Sequence, residues 1–280
     1  MAYNKEDNSE LRALQLTELE IMRLFVKLCE QHRLRYYIVG GTMLGAMRHK
    51  GFIPWDDDMD VGMPRPDYER FREIAPLELP EGYAYLNFRD NPEHKRFFSR
   101  LVDKRVHVMN ASASKLLQEE AWIDIFPLDG MPGNALRRKW HFWHMTLWRL
   151  LFHASVFEQT VNLMRPGRPW YQKLAIRFLA VTKLGQKADT VKIGGRIDKL
   201  LKKYPYDESP WVTLLFSSYL MKETVSKAVI GEGRFYPFED MQLRGFAKAE
   251  EYLTQVYGDW RTPPKGEDKD KHIIQEIKYE

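Results

Sequence analysis

Between Gly51 and Arg65 the chain reads GFIPWDDDMDVGMPR, and four of the five residues from Asp56 to Asp60 are carboxylates. Apolar side chains flank and interrupt them: Phe52, Ile53, Trp55, Met59, Val61 and Met63. Two like charges 4 Å apart repel by about 1 kcal/mol even in bulk water, and by more in a cleft of low dielectric. Alternation of apolar residues with Asp60 and Gly62 predicts a strand over Met59–Met63. Asp58 and Asp60, two residues apart, then point to one face of it. The fold must therefore set a pair of carboxylates against sheet-forming apolar residues. A pair held that way calls for a cation.

The run before this segment, GGTMLGAMRHK (Gly40–Lys50), supplies a second constraint. Tyr36–Val39 reads as a short strand ending in the diglycine Gly40-Gly41. Thr42–His49 reads as a short helix that Thr42 can cap. A third feature is AWIDIF (Ala121–Phe126), a predicted strand with a lone acid, Asp124, among apolar neighbours. An unpaired buried carboxylate costs several kcal/mol, so Asp124 needs a partner.

These three features together predict a metal–phosphate site. Oxygen ligands without His or Cys select a hard cation, Mg²⁺ or Mn²⁺. Asp58, Asp60 and Asp124, from two adjacent strands, can hold one or two such ions against phosphate oxygens. Gly40 and Gly41 let backbone N–H groups approach a phosphate, and the helix that follows presents its positive end. Arg48 can reach phosphate from the end of that helix. Asp56 and Asp57 are expected to support the site from the loop, and Asp129 in PLDG is expected to be a turn residue.

Elsewhere, residues 9–34 read as one helix with Ser9 as N-cap and Leu11, Leu14, Met22, Phe25 and Cys29 along one face. Pro66–Ala75 reads as a helix with Pro in its first turn. Strands are predicted over Tyr83–Phe88, Phe97–Val102 and Val106–Met109. From Arg137 to about Leu184 the pattern is helical, followed by a helix over Val191–Lys203. A mixed segment, Val212–Ile230, precedes a last helix over Asp240–Tyr257. The charged tail after Pro264 is expected to be partly disordered. Three parts follow: a catalytic core with its N-terminal helix over 1–134, a helical insertion over 135–205, and a segment completing the catalytic domain over 206–280.

Composition narrows the rest. The 280 residues are 44% hydrophobic and 29% charged, enough for a substantial core. The single Cys29 excludes an intrachain disulfide and a Cys-based metal site. The N-terminus, MAYNKEDNSE, has no signal-peptide pattern, and no apolar run reaches the roughly 20 residues of a spanning helix. The expected location is cytoplasmic, or peripheral at the inner face of the membrane.

The longer string GGTMLGAMRHKGFIPWDDDMDVGMPRPDY resembles the LicD family of the nucleotidyltransferase-fold superfamily. That family includes bacterial phosphocholine transferases and is related to the fukutin-type transferases. WIDIFPLDG (Trp122–Gly130) resembles the family's second block, and FYPFEDMQLRGFAKAEEYLTQVYGDWRTPP (Phe235–Pro264) its C-terminal block. The resemblance implies an α+β fold, a nucleotidyltransferase-like mixed sheet flanked by helices. It implies Mg²⁺-dependent transfer of phosphocholine from CDP-choline to a hydroxyl of a cell-surface glycan, a lipopolysaccharide or teichoic-acid precursor, with CMP leaving. Another CDP-activated alcohol, or a nucleoside triphosphate with nucleotidyl transfer, is the alternative donor. On matching motifs Asp58 and Asp60 are the paired metal ligands, Asp124 the third acid or the general base, and Gly40, Gly41 and Thr42 the phosphate cradle. A quaternary ammonium needs aromatic faces, for which Trp55, Tyr83, Tyr85, Trp122 and Tyr236 are candidates.

The middle of the chain matches no motif. Between Arg137 and Lys187 stand ten Lys and Arg residues and one acid, Glu158, interleaved with Trp and Phe. Such a segment either lies on an anionic membrane surface or packs its aromatics into the core and solvates its cations. Nucleic acid is not an expected partner.

Overall fold

A parallel pair of strands at the centre of a mixed sheet carries the acids. In this computed structural model, residues 7–91, 93–94, 96–110, 117–156, 189–217, 219–263 and 274–279 are described. The strands are β1 (Tyr37–Ile38), β2 (Asp60–Pro64), β3 (Tyr83–Leu86), β4 (Ser99–Asn110), β5 (Leu117–Met131), β6 (Trp211–Thr213), β7 (Thr224–Ser226), β8 (Arg234–Phe238), β9 (Met241–Gly245) and β10 (Ile274–Tyr279). The helices are α1 (Asp7–Gln31), α2 (Gly40–Arg48), α3 (Arg65–Glu78), α4 (Ala135–Ser155), α5 (Thr190–Leu201), α6 (Lys227–Ile230) and α7 (Ala249–Tyr257), with a 3₁₀ turn at Leu220–Glu223.

The main strand order is β10-β4-β5-β2-β1-β9-β8; β3 pairs with β4, and β6 links β5 to β7. The β2–β5 and β1–β9 ladders are parallel, whereas β1–β2, β4–β5 and β8–β9 are antiparallel. The fold is thus α+β with a mixed sheet, as expected. Residues from the C-terminal part of the chain join this sheet beside β1, since Gly245 of β9 pairs with Ile38 of β1.

Helix α1 buries Leu14, Ile21, Met22, Phe25 and Cys29 in the main core with Ile38, Val61, Met63 and Ile125. A smaller core joins Phe142, Met145 and Phe152 of α4 to Phe88, Phe97, Ile197 and Leu201. Helix α4 is capped by Asn134, whose side chain accepts from Arg137 N at 3.0 Å, and α5 by Asp189, which accepts from Lys192 N at 3.0 Å.

Several expectations need correction. Helix α1 starts at Asp7, so Ser9 lies inside it. The two strands expected over 97–109 are one strand, β4. The helix expected over Asp240–Tyr257 is strand β9 followed by α7, because Met241, Leu243 and Gly245 alternate with Gln242 and Arg244. Glu239 and Asp240 form its hairpin turn, with Glu239 at φ 54°. A two-residue turn of that kind normally announces itself with Asn or Gly, hence the missed signal. The tail returns as β10 against β4 over Ile274–Tyr279, while residues 264–273 lie outside the described residues. So does 157–188, most of the aromatic, basic segment.

Asp129 is no turn residue. It is buried on β5 and accepts from Arg65 Nε and Nη2, both at 2.6 Å. Arg65 also donates to Asp198 of α5 at 3.1 Å and to Glu69 at 3.1 Å. This buried network fastens the helical segment to β5.

Candidate active site

Asp60 opens β2, and the parallel ladder makes Asp124 of β5 its Cα partner. Asp124 N donates to Met59 O at 2.8 Å, which fixes the register. Directly opposed residues in a ladder send their side chains to one face. Asp58 comes to the same place: carboxylate oxygens of Asp58, Asp60 and Asp124 all lie within 4.8 Å of one another. The three acids picked from the sequence therefore converge. A donor set of carboxylates at this spacing fits a hard divalent cation.

Helix α2 is pinned to this strand end. Asp60 N donates to Thr42 Oγ1 at 2.7 Å, and Val39 N donates to Asp60 O at 3.1 Å. Thr42 thus secures Asp60 and does not cap the helix, whose N-cap position is Val39. The diglycine forms the first turn of α2 instead of preceding it. A Cβ on Gly40 would lie 2.9 Å from Asp60 Oδ2, and one on Gly41 2.6 Å from Asp56 Oδ2. Gly40 also sits at φ 54°. The two glycines let carboxylates lie against the backbone. Gly40 N donates to Tyr252 Oη at 2.9 Å, and Tyr252 Oη donates to Glu223 Oε2 at 2.9 Å. Arg48 Nη1 donates to Trp260 O at 2.9 Å, tying α2 to the C-terminal block.

Burial is the main cause that pushes the Asp60 carboxyl well above the ordinary range, followed by the charges of Asp58 and Asp124. Burial also raises Asp124, against the opposing pull of Arg100 and Arg96. Arg100 Nε donates to Asp124 Oδ1 at 2.7 Å and its guanidinium lies 4.0 Å from the Trp122 ring centroid. Arg100 and Asp124 are also Cα partners across β4 and β5.

Asp56 and Asp57 are closer to the centre than expected. With Asp58 they form a second group whose carboxylate oxygens lie within 4.8 Å. The loop bearing them is clasped from two sides. Gln15 Nε2 of α1 donates to Asp56 O at 2.9 Å. At the other end Glu239 accepts from Phe52 N at 3.3 Å and from Arg12 Nη2 at 2.7 Å.

Among the aromatic candidates, Trp122 is faced by Arg100, and Tyr83 by Arg105 at 4.8 Å. Tyr85 Oη donates to Ser99 and Tyr236 Oη to Phe246 O. Trp55 sits on the acidic loop beside His49. Arg100, Glu223 and Glu239 escaped the sequence reading.

A mixed sheet with acids on neighbouring parallel strands, pinned to a helix that begins with diglycine, places the protein in the nucleotidyltransferase-like class. More narrowly, residues 33–157 match the LicD/FKTN/FKRP nucleotidyltransferase domain, and the chain carries a domain of this family. It is 29% identical to the lipopolysaccharide cholinephosphotransferase LicD of Haemophilus influenzae, over 95% of this chain and 97% of that protein. A shorter stretch is 45% identical to the human ribitol 5-phosphate transferase FKRP, over 24% of this chain and 13% of that protein.

Proposed function

We propose that the protein is a transferase that moves phosphocholine from CDP-choline to a hydroxyl of a glycan. The convergence of Asp58, Asp60 and Asp124 at one strand end carries this reading, and the likeness to a cholinephosphotransferase along nearly the whole chain supports it. The acceptor oxygen bonds to the phosphorus that bears choline. The bond from that phosphorus to the CMP oxygen breaks, and CMP leaves with the electron pair. The acceptor proton passes to a base. Asp58, Asp60 and Asp124 would hold Mg²⁺ or Mn²⁺, which offsets charge on the phosphates. Arg100 opposes the upward push of burial on Asp124 and aims its carboxylate, which favours a ligand role for Asp124 over that of base. Gly40 and Gly41 make room for the Asp60 and Asp56 carboxylates against the first turn of α2.

The test is a panel of donors with Mg²⁺: CDP-choline, other CDP-linked alcohols and nucleoside triphosphates, with total cell-envelope glycan as acceptor. CMP release from CDP-choline that depends on glycan is expected. Release from a different CDP-alcohol would move the donor assignment, as the FKRP likeness suggests, and pyrophosphate release would overturn the reading.

Helix α4 supports a membrane-side acceptor. Leu136, Trp140, Trp143, Leu147 and Leu150 are each 57–73% exposed. At 100° per residue they form one stripe opposite the buried Phe142, Met145 and Phe152. Arg137 and Lys139 are exposed on its flanks, and α4 contains no acid. That pattern fits an anionic lipid surface. No helix among the described residues is long and apolar enough to cross a membrane. Sedimentation with phosphatidylglycerol vesicles is expected to capture the protein and to fail for the Trp140→Ser, Trp143→Ser double variant; equal capture of both sinks the idea.

A further inference from the structure

Glu223 is a buried acid that meets no counter-charge. It is 4% exposed, and among the described residues its carboxylate accepts from hydroxyls alone: Tyr252 Oη on Oε2 at 2.9 Å and Ser217 Oγ on Oε1 at 3.1 Å. The neighbouring Lys222 turns away to donate to Val256 O at 3.2 Å. A buried carboxylate held by neutral donors is costly until a cation completes it. Its place is beside the acids. Tyr252 Oη also accepts from Gly40 N at 2.9 Å, and Gly40 lies against Asp60 Oδ2. One tyrosyl hydroxyl therefore separates Glu223 from the turn of α2 that Asp60 lies against.

Two aromatic rings belong to the same cluster. Tyr219 leads into the 3₁₀ turn that ends at Glu223, and its N donates at 3.2 Å to Ser217 Oγ, the hydroxyl that bonds Glu223. Tyr257 packs edge-on against Tyr219, with ring centroids 4.8 Å apart at 70°. Both rings are half-buried. Burial raises their hydroxyls, and the charges of Glu223, Asp56 and Asp60 raise them further, so the field of the acidic end reaches this pair. Arginines already face Trp122 and Tyr83. Among the described residues no cation lies over Tyr219 or Tyr257.

We propose that Tyr219, Tyr257 and Glu223 form the subsite for the head of the donor alcohol, and that this subsite takes a quaternary ammonium. The proposal rests on the transferase reading and narrows its donor. A trimethylammonium donates no hydrogen bond, so it leaves Tyr252 and Ser217 in place on Glu223. It gains from ring faces and from charge at short range. A primary ammonium has three donors to place, and both oxygens of Glu223 already serve hydroxyls. A neutral polyol leaves the buried charge unanswered.

The test offers CDP-choline, CDP-ethanolamine and CDP-glycerol to the full-length chain with Mg²⁺. It reads CMP release with glycan present and calorimetric affinity without it. The wild type is expected to favour CDP-choline over each of the others by about tenfold. Tyr219→Leu and Glu223→Gln are each expected to erase most of that preference, and Tyr219→Phe, which keeps the ring, to retain it. Tyr257→Leu serves if Glu223→Gln does not fold. A preference for CDP-choline that survives in these variants overturns the subsite and leaves the transferase reading standing. A wild type that favours CDP-glycerol or CDP-ethanolamine overturns the subsite together with the phosphocholine reading. If no donor yields CMP the transferase reading falls, and equal affinity for the three donors then overturns the subsite as well.

Discussion

Asp60 and Asp124 face each other as Cα partners across the parallel β2–β5 ladder, with Asp124 N bonded to Met59 O at 2.8 Å. The separation of the two carboxylates is therefore set by backbone hydrogen bonds in a sheet interior. Neither acid can move away to relieve repulsion without breaking the ladder. Asp60→Asn is expected to lower CMP release by about 10²–10³-fold with unchanged secondary structure, as expected for the loss of a ligand that stabilises transferring charge. Steady-state turnover and circular dichroism check this; normal turnover would remove Asp60 from the site.

Arg100 is the counter-charge bonded to Asp124 at 2.7 Å. Arg100→Met keeps much of the packing on Trp122 but leaves a buried carboxylate with its strongest partner gone. A cost of about 3 kcal/mol is expected, smaller in the presence of Mg²⁺ because a cation replaces the lost charge. Urea unfolding with and without Mg²⁺ measures the difference.

Gly41→Ala puts a methyl 2.6 Å from Asp56 Oδ2. That oxygen ends a flexible side chain on a loop, so the chain should still fold. The displaced Asp56 should weaken cation binding by about tenfold, near 1.4 kcal/mol. Gly40→Ala adds strain at φ 54° of about 1–2 kcal/mol and should be the less stable of the two. Melting temperature and Mn²⁺ titration separate the effects.

Burial raises Glu223 to about 7, although hydrogen bonds from Tyr252 and Ser217 pull the other way. In the unfolded chain it titrates near 4.5. The folded state thus holds the extra proton between these values, so this group's contribution to stability is full below about 4.5 and is lost as pH rises through 7. Its size is on the order of 3 kcal/mol. Glu223→Gln should flatten the pH dependence of unfolding free energy between pH 5 and about 7, measured by urea titration.

Asp129→Asn leaves Arg65 without its bidentate partner in a buried setting, though Asp198 and Glu69 remain. A loss of about 3 kcal/mol is expected, because breaking a buried pair strands a charge. Unfolding followed by Trp fluorescence should show it; a cost below the error of measurement would mean the network is not what holds α5 to β5.

The sequence made the acids legible because carboxylates in an apolar alternating pattern have few other uses. Asp58, Asp60 and Asp124 each stand beside Met, Val or Ile, and period two assigned their face. Asp129 misled because Pro127, Asp129 and Gly130 have the composition of a turn, while Arg65, which buries it, lies 64 residues away in sequence. Arg100 and Glu223 stayed hidden for the same reason: each is an ordinary charged residue until a distant strand or helix is laid beside it. The β8–β9 hairpin was lost because Glu239 takes a positive φ that its side chain does not advertise.

Glu239 also bears on how the chain comes to be active. The loop that carries Asp56–Asp58 is fastened at its start by a residue near the C-terminal end, and β9 completes the sheet beside β1. A chain still being synthesised has the Asp56–Asp58 loop, yet lacks the clasp until Glu239, 187 residues beyond Phe52, has emerged. The nascent protein therefore presents the acidic segment before one of its two fastenings has formed. Cleavage of the chain between β7 and α7 is expected to loosen this loop while leaving Asp58, Asp60 and Asp124 in the chain.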